Sequence, residues 1–244
     1  TVPALQEVDE DQSITFSPTN NNQISINDAD GGNVEVTIDT SNGTVDLSQT
    51  TGLSFSAGAD DSASMTFTGT IDDINQALNG LIFNPTPNYN GDDAGIEIDV
   101  NDLSNGGGAA LTSLDNRIPI RVGAVNDAPT GTVTIAGIAE EDQILTANNT
   151  LADEDGLGPF TYVWLDQADT VLQSGASNQY TLGQSDVGLQ IKVRIDYTDL
   201  QGTPESVTSA LTVAVANVND AATGSVAKGG SVDDGRRRMM NKTL

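Results

Sequence analysis

The stretch Ile191-Lys192-Val193-Arg194-Ile195-Asp196-Tyr197-Thr198-Asp199 sets an apolar or aromatic side chain at every second position, a polar one between, and then stops on an aspartate. A period of two sends successive side chains to opposite faces, so this segment reads as a strand with one face in a core. The same alternation runs through Val34, Val36 and Ile38, through Ile96, Ile98 and Val100, through Ile118, Ile120 and Val122, and through Val133 and Ile135. It returns at Leu211, Val213 and Val215. Turn formers, among them Asn42-Gly43, Asn90-Gly91 and Asn105-Gly106, separate the strands as hairpins and connecting loops require. Short strands with this punctuation predict an all-β fold of sandwiches. One helix interrupts it: Thr70 is an N-cap, Asp72 and Asp73 are acidic first-turn residues, Ile71, Ile74 and Leu78 have helical spacing, and Gly80 is the stop.

A segment recurs. Val125-Asn126-Asp127-Ala128-Pro129 returns 93 residues later as Val218-Asn219-Asp220-Ala221-Ala222, each copy following an alternating strand. Glu10-Asp11-Gln12 likewise matches Glu141-Asp142-Gln143, and each is followed by an apolar strand and an Asp-x-Asp-Gly, at Asp28–Gly31 and Asp153–Gly156. Repeats with their own cores describe domains strung together to cover distance. The division expected is a first sandwich over 1–125, a linker over 126–130, a second sandwich over 131–220 and a tail over 221–244.

Composition narrows the function. The chain of 244 residues has 35 Asp plus Glu against nine Lys plus Arg, a formal net charge of −26. Five of those bases lie after residue 223, so the body is more acidic still. Nucleic acid and anionic membranes are poor partners for such a surface, and divalent cations are good ones. With neither Cys nor His, disulfides, thiolate or imidazole metal sites and imidazole-activated nucleophiles are excluded. Lack of Cys suits the cytosol, and equally a long exported protein that crosses membranes unfolded. No apolar run is long enough to span a bilayer, and any export signal is expected outside this fragment.

If each domain is a seven-strand sandwich with its termini at opposite poles, the B–C and F–G loops lie at the N-terminal pole beside the incoming linker. That gathers Asp153, Asp155 and Asp199 with Asn126, Asp127 and Glu141, Asp196 being a weaker candidate. In the first sandwich the matching set is Asp28, Asp30, Asp102 and Glu10, with Asp99 weaker. Carboxylates about 4 Å apart repel at ~4 kcal/mol for an effective dielectric of 20. A hard cation resolves that, and Ca2+ fits because it accepts six to eight oxygens in flexible geometry, carbonyl and amide oxygens included. The ion would bridge linker and downstream sandwich and turn a flexible chain into a rod.

Plainer readings stand beside this one. An Asp-x-Asp-Gly alone is a turn, because Asp bonds its own backbone and Gly supplies positive φ. Neither loop is an EF-hand, since Ile26 or Leu151 would occupy the first ligand position and Thr37 or Tyr162 the twelfth. The pairs Asp60-Asp61, Asp72-Asp73 and Asp92-Asp93 read as solvated charge before a glycosidase acid and base. Trp164, inside Thr161-Tyr-Val-Trp-Leu165, reads as core before a sugar platform. The tail, with Arg236-Arg237-Arg238 after Gly229-Gly230-Ser231, reads as cloning residues, an out-of-frame read or disorder, with a basic arm as the native alternative.

The Val-Asn-Asp-Ala-Pro linker, the Glu-Asp opening and the Asp-x-Asp-Gly loop resemble the cadherin-like repeats of giant bacterial adhesins of the RTX/VCBS type. The run Met65-Thr-Phe-Thr-Gly-Thr-Ile-Asp-Asp-Ile-Asn-Gln-Ala-Leu-Asn-Gly-Leu-Ile-Phe-Asn-Pro85, with Asn88-Tyr-Asn-Gly91 and Val100-Asn-Asp-Leu-Ser-Asn-Gly-Gly107, extends that pattern over nearly all of the first domain. Tyr162-Val-Trp164, Tyr180-Thr-Leu182 and Asp186-Val-Gly188 are similar to bacterial immunoglobulin-like repeats. The resemblance implies two tandem Greek-key β-sandwiches in a secreted or surface adhesin, serving attachment or biofilm formation and not catalysis. Its partners would be neighbouring repeats of a monomeric chain, with carbohydrate or another adhesin molecule as the alternative.

Overall fold

The structure is a computed structural model that describes residues 1–28, 31–103 and 116–219. Nine strands precede the linker: β1 (Gln6–Asp9), β2 (Ile14–Phe16), β3 (Asn33–Ser41), β4 (Gly43–Asp46), β5 (Ser54–Gly58), β6 (Ser64–Thr70), β7 (Leu81–Pro85), β8 (Gly91–Asn101) and β9 (Arg117–Gly123), with helix α1 (Ile71–Leu78) between β6 and β7. Seven follow it: β10 (Val133–Ala136), β11 (Ile144–Asn149), β12 (Thr161–Asp166), β13 (Val171–Gly175), β14 (Gln179–Thr181), β15 (Ile191–Thr198) and β16 (Pro204–Thr208).

The strands form two sandwiches. In the first, a six-stranded sheet β1-β9-β8-β3-β6-β5 faces a three-stranded sheet β2-β7-β4. Among the described residues this makes nine strands, two more than the seven expected. Alternation decides what is buried: Val34, Val36 and Ile38 of β3, Ile96 of β8 and Ile118 and Ile120 of β9 meet Phe16, Val45 and Phe83 from the other sheet. Helix α1 closes one side with Ile74, Ala77 and Leu78. Its cap is the one expected, the Thr70 side chain accepting from the Asp73 N–H and donating to the Asp73 carboxylate at 2.7 Å.

In the second sandwich β10-β11-β14 faces β13-β12-β15-β16, an immunoglobulin-like division into three and four strands. The chain changes sheet between β11 and β12, between β13 and β14 and again between β14 and β15, which gives the Greek-key path. Val193, Ile195 and Tyr197 of β15 point inward around Trp164, which has no exposed surface and stacks on Tyr180 with ring centroids 5.6 Å apart. Trp164 is therefore core and no sugar platform. The two hydrophobic clusters share no residue.

The detail that places the functional residues is the direction of β1. It pairs parallel to β9, Gln6 opposite Ile120 and Asp9 opposite Gly123. By Asp9 the chain has therefore already reached the pole at which the sandwich ends. The second sandwich repeats this in brief, with a parallel bridge between Glu140 and Ala216.

Candidate metal centre

The parallel pairing sorts the acidic residues differently from the sequence expectation. Glu10 follows β1 directly, its N–H donating to the Gly123 carbonyl at 2.9 Å. Its carboxylate, 2 % exposed, accepts the Val125 N–H at 2.6 Å and the Asn90 amide at 3.4 Å. Glu10 thus belongs to the junction between the sandwiches and not with Asp28 and Asp102 at the opposite pole. Glu141 moves the same way. Its N–H donates to the Ala216 carbonyl and its carboxylate accepts the Val218 N–H at 3.2 Å, so it sits at the far end of the second sandwich, away from Asp127. The expected groupings of Glu10 and Glu141 are corrected by one cause: each follows a residue paired in parallel with the segment that leads into the next linker, β9 for Glu10 and the isolated bridge at Ala216 for Glu141.

Around the linker the remaining residues come together. The Asp127 N–H donates to the Asp155 carboxylate at 2.7 Å, and the Asp155 N–H to the Asp153 carboxylate at 3.0 Å. The Asp155 carbonyl accepts the Leu200 N–H at 3.1 Å, which ties the loop after β11 to the loop after β15. That second loop is built by Asp199, one of whose oxygens accepts the N–H groups of Gln201 and Thr203 at 2.9 and 2.7 Å. Asp153–Gly156 is also a turn, with the Gly156 N–H on the Asp153 carbonyl at 3.0 Å and Gly156 at φ +88. That positive φ favours glycine, and a Cβ there would also displace the exposed Leu200 side chain.

The electrostatics are one-sided. The half-buried Asp127 carboxyl is pushed up from its ordinary value, first by desolvation and then by the negative charges of Asp155, Asp11, Glu10 and Glu154. Asp199 is 5 % exposed, and its second oxygen, Oδ2, is buried with no hydrogen-bond partner. A buried anionic oxygen left unpaired is costly, and such a group marks a place for water or an ion. All the side-chain donors here are hard oxygens, which suits an alkaline-earth ion and no soft metal. Among the described residues, no three Asp or Glu side chains stand close enough to hold an ion as a set of their own. A cation here would draw on carbonyl and amide oxygens as well.

Other candidates are placed elsewhere. Asn126 donates its amide to Glu205 at 2.9 Å. Asp196 is forked by Arg194 at 2.6 and 2.8 Å, and Asp99 accepts the Asn116 amide. Asp28 and Asp102 lie at the pole of the first sandwich opposite the linker, while Asp30 and the tail lie outside the described residues. Of the adjacent pairs, Asp60 accepts the Leu47 N–H, Asp73 donates its N–H to the Thr70 cap of α1 and Asp92 pairs with Arg121 at 2.7 Å.

Sequence reasoning missed Asp11, Asn90 and Gln201 at the junction. The Gln201 amide donates to Asn90 at 3.2 Å across the domain boundary. Asn90 showed only as a turn former before Gly91, and Asp11 only as part of a repeat marker.

No protein-family model matches the chain, and no curated protein matches it. Among solved structures it is similar to the crystal structure of the CD2-binding domain of CD58 (lymphocyte function-associated antigen 3), at 9% identity over 89% of this chain and 98% of that one, with a TM-score of 0.22. A likeness at that score carries no argument, and the fold rests on the strand order given above. Among the described residues no helix is long and apolar enough to cross a membrane.

Proposed function

We propose that this chain is a structural extension module of a large extracellular or surface adhesin, with Ca2+ stiffening the junction between its two sandwiches. The observation that carries the reading is the buried, unpartnered Oδ2 of Asp199, set in a pole whose charges on Asp127 are all acidic. The ion would sit beside Asp199 and take carbonyl and amide oxygens of the linker and of the two loops, with Glu10, Asp127, Asp153 and Asp155 setting the negative field around it. The ion would supply positive charge that offsets their repulsion, and the protein's own part is to bring residues of both sandwiches and the linker to one place. Extracellular modules hold Ca2+ with a Kd of about 10⁻⁴ to 10⁻³ M, so the free ion outside a cell would keep such a junction filled.

An enzyme is disfavoured because the chain has no His or Cys to activate a nucleophile, and several of its carboxylates are engaged in turns and ion pairs. A carbohydrate-binding module is the second class. It is disfavoured because, among the described residues, every large hydrophobic side chain that is well exposed is Leu, Ile or Val and none is aromatic.

The test is thermal melting with Ca2+ titrated from zero to several times the Kd range, and Mg2+ in parallel. Melting temperature rises with Ca2+ and falls again on chelation, as for any ligand that binds the folded state. Asp199→Asn keeps an oxygen for Gln201 and Thr203 and removes the charge, so it abolishes the rise. A wild-type curve indifferent to Ca2+ would sink the proposal.

A further inference from the structure

Tyr197 closes the inward row of β15. It is 5 % exposed, lies in the core of the second sandwich and packs edge-on against Phe160 with centroids 5.6 Å apart. Its hydroxyl reaches out of that core and donates to the Asp153 carboxylate at 2.5 Å. The other Asp153 oxygen holds the Asp155 N–H, and Asp155 holds the Asp127 N–H. A continuous series of hydrogen bonds therefore runs from a buried phenol through two loop carboxylates to the backbone of the linker.

We propose that Tyr197 is the positioning residue through which the core of the second sandwich fixes the linker, orienting the Asp153–Asp155 loop before any cation arrives. A flexible acidic loop would have to be ordered by the ion itself, at the expense of affinity, whereas a loop held from the core does not carry that cost. The first sandwich has a different residue at the matching place. Val100 stands where Tyr197 does, two residues before Asp102 as Tyr197 stands two before Asp199, and it has no hydroxyl to offer Asp28. The cation half of this inference rests on the function proposed above, while the latch itself acts without the ion.

The experiment is amide hydrogen exchange by NMR on the whole chain in chelator, followed by Ca2+ titration, for wild type, Tyr197→Phe and Tyr180→Phe. Tyr197→Phe keeps the ring and its contact with Phe160. Tyr180→Phe is the control, because it removes a like bond, Tyr180 to Asp186 at 2.9 Å, that belongs to neither loop of the junction. We expect exchange at the Asp127 and Asp155 N–H groups to accelerate about tenfold in Tyr197→Phe, the Ca2+ Kd to rise by a similar factor, and neither to change in Tyr180→Phe. Exchange at these two groups that is unchanged in Tyr197→Phe, or changed equally in Tyr180→Phe, overturns the proposal. Accelerated exchange in a protein whose wild type ignores Ca2+ upholds the latch and removes the cation reading instead.

Discussion

Glu10 and Glu141 occupy matching places, Glu10 donating its N–H to the Gly123 carbonyl and Glu141 to the Ala216 carbonyl, and each carboxylate accepting the N–H of a residue just beyond, Val125 or Val218. They serve different junctions. Glu10→Gln keeps an oxygen for the Val125 N–H and loses the charge at the junction within this chain, so the Ca2+-dependent rise in melting temperature should shrink. Glu141→Gln, at the far end of the second sandwich, should leave that rise unchanged. The reverse ranking would return Glu141 to the junction and refute the assignment by strand direction. Which side chains are acidic and which loops repeat can be read from residue order. Their distribution between poles cannot, because it depends on whether the first strand pairs parallel or antiparallel with the last, and nothing in Gln6-Glu7-Val8-Asp9 specifies that partner. Tyr197 shows the same limit. Its place in the alternating row marks it as core, yet whether its hydroxyl has a partner depends on how the distant loop at Asp153 folds back.

At the scale of elements, local pattern was most informative where burial is one-sided. The long strands β3, β8, β9 and β15 each present their alternate apolar residues to a core, as period two requires. Helix α1 has only eight residues, too few to be stable alone, and owes its place to Ile74, Ala77 and Leu78 under the sheets. Its cap contributes locally. Thr70→Ala removes the oxygen that accepts the Asp73 N–H and should cost about 1 kcal/mol of the first sandwich's stability, read from urea unfolding, with the second sandwich unaffected. A loss shared by both sandwiches would show that the helix is not confined to one core. The short edge strands β4 and β5 were not legible, since four or five residues with weak alternation take their partners from the sheet beside them.

For the whole molecule, the separation of the two cores governs how damage spreads. Trp164 is fully buried among Leu145, Ile191, Val193 and Ile195, and Trp164→Ala should cost roughly 3–5 kcal/mol. Only the second sandwich should unfold early, leaving the first with its native NMR spectrum, and simultaneous loss of both sets of signals would contradict independent cores. The pairing of β1 with β9 has another effect at this scale. When such a chain is stretched from its ends, β1 is drawn one way and β9 the other along a common axis, so the bonds between them slide against one another together. A tether whose links lie in shear holds until all of them give at once, whereas links peeled open yield one by one.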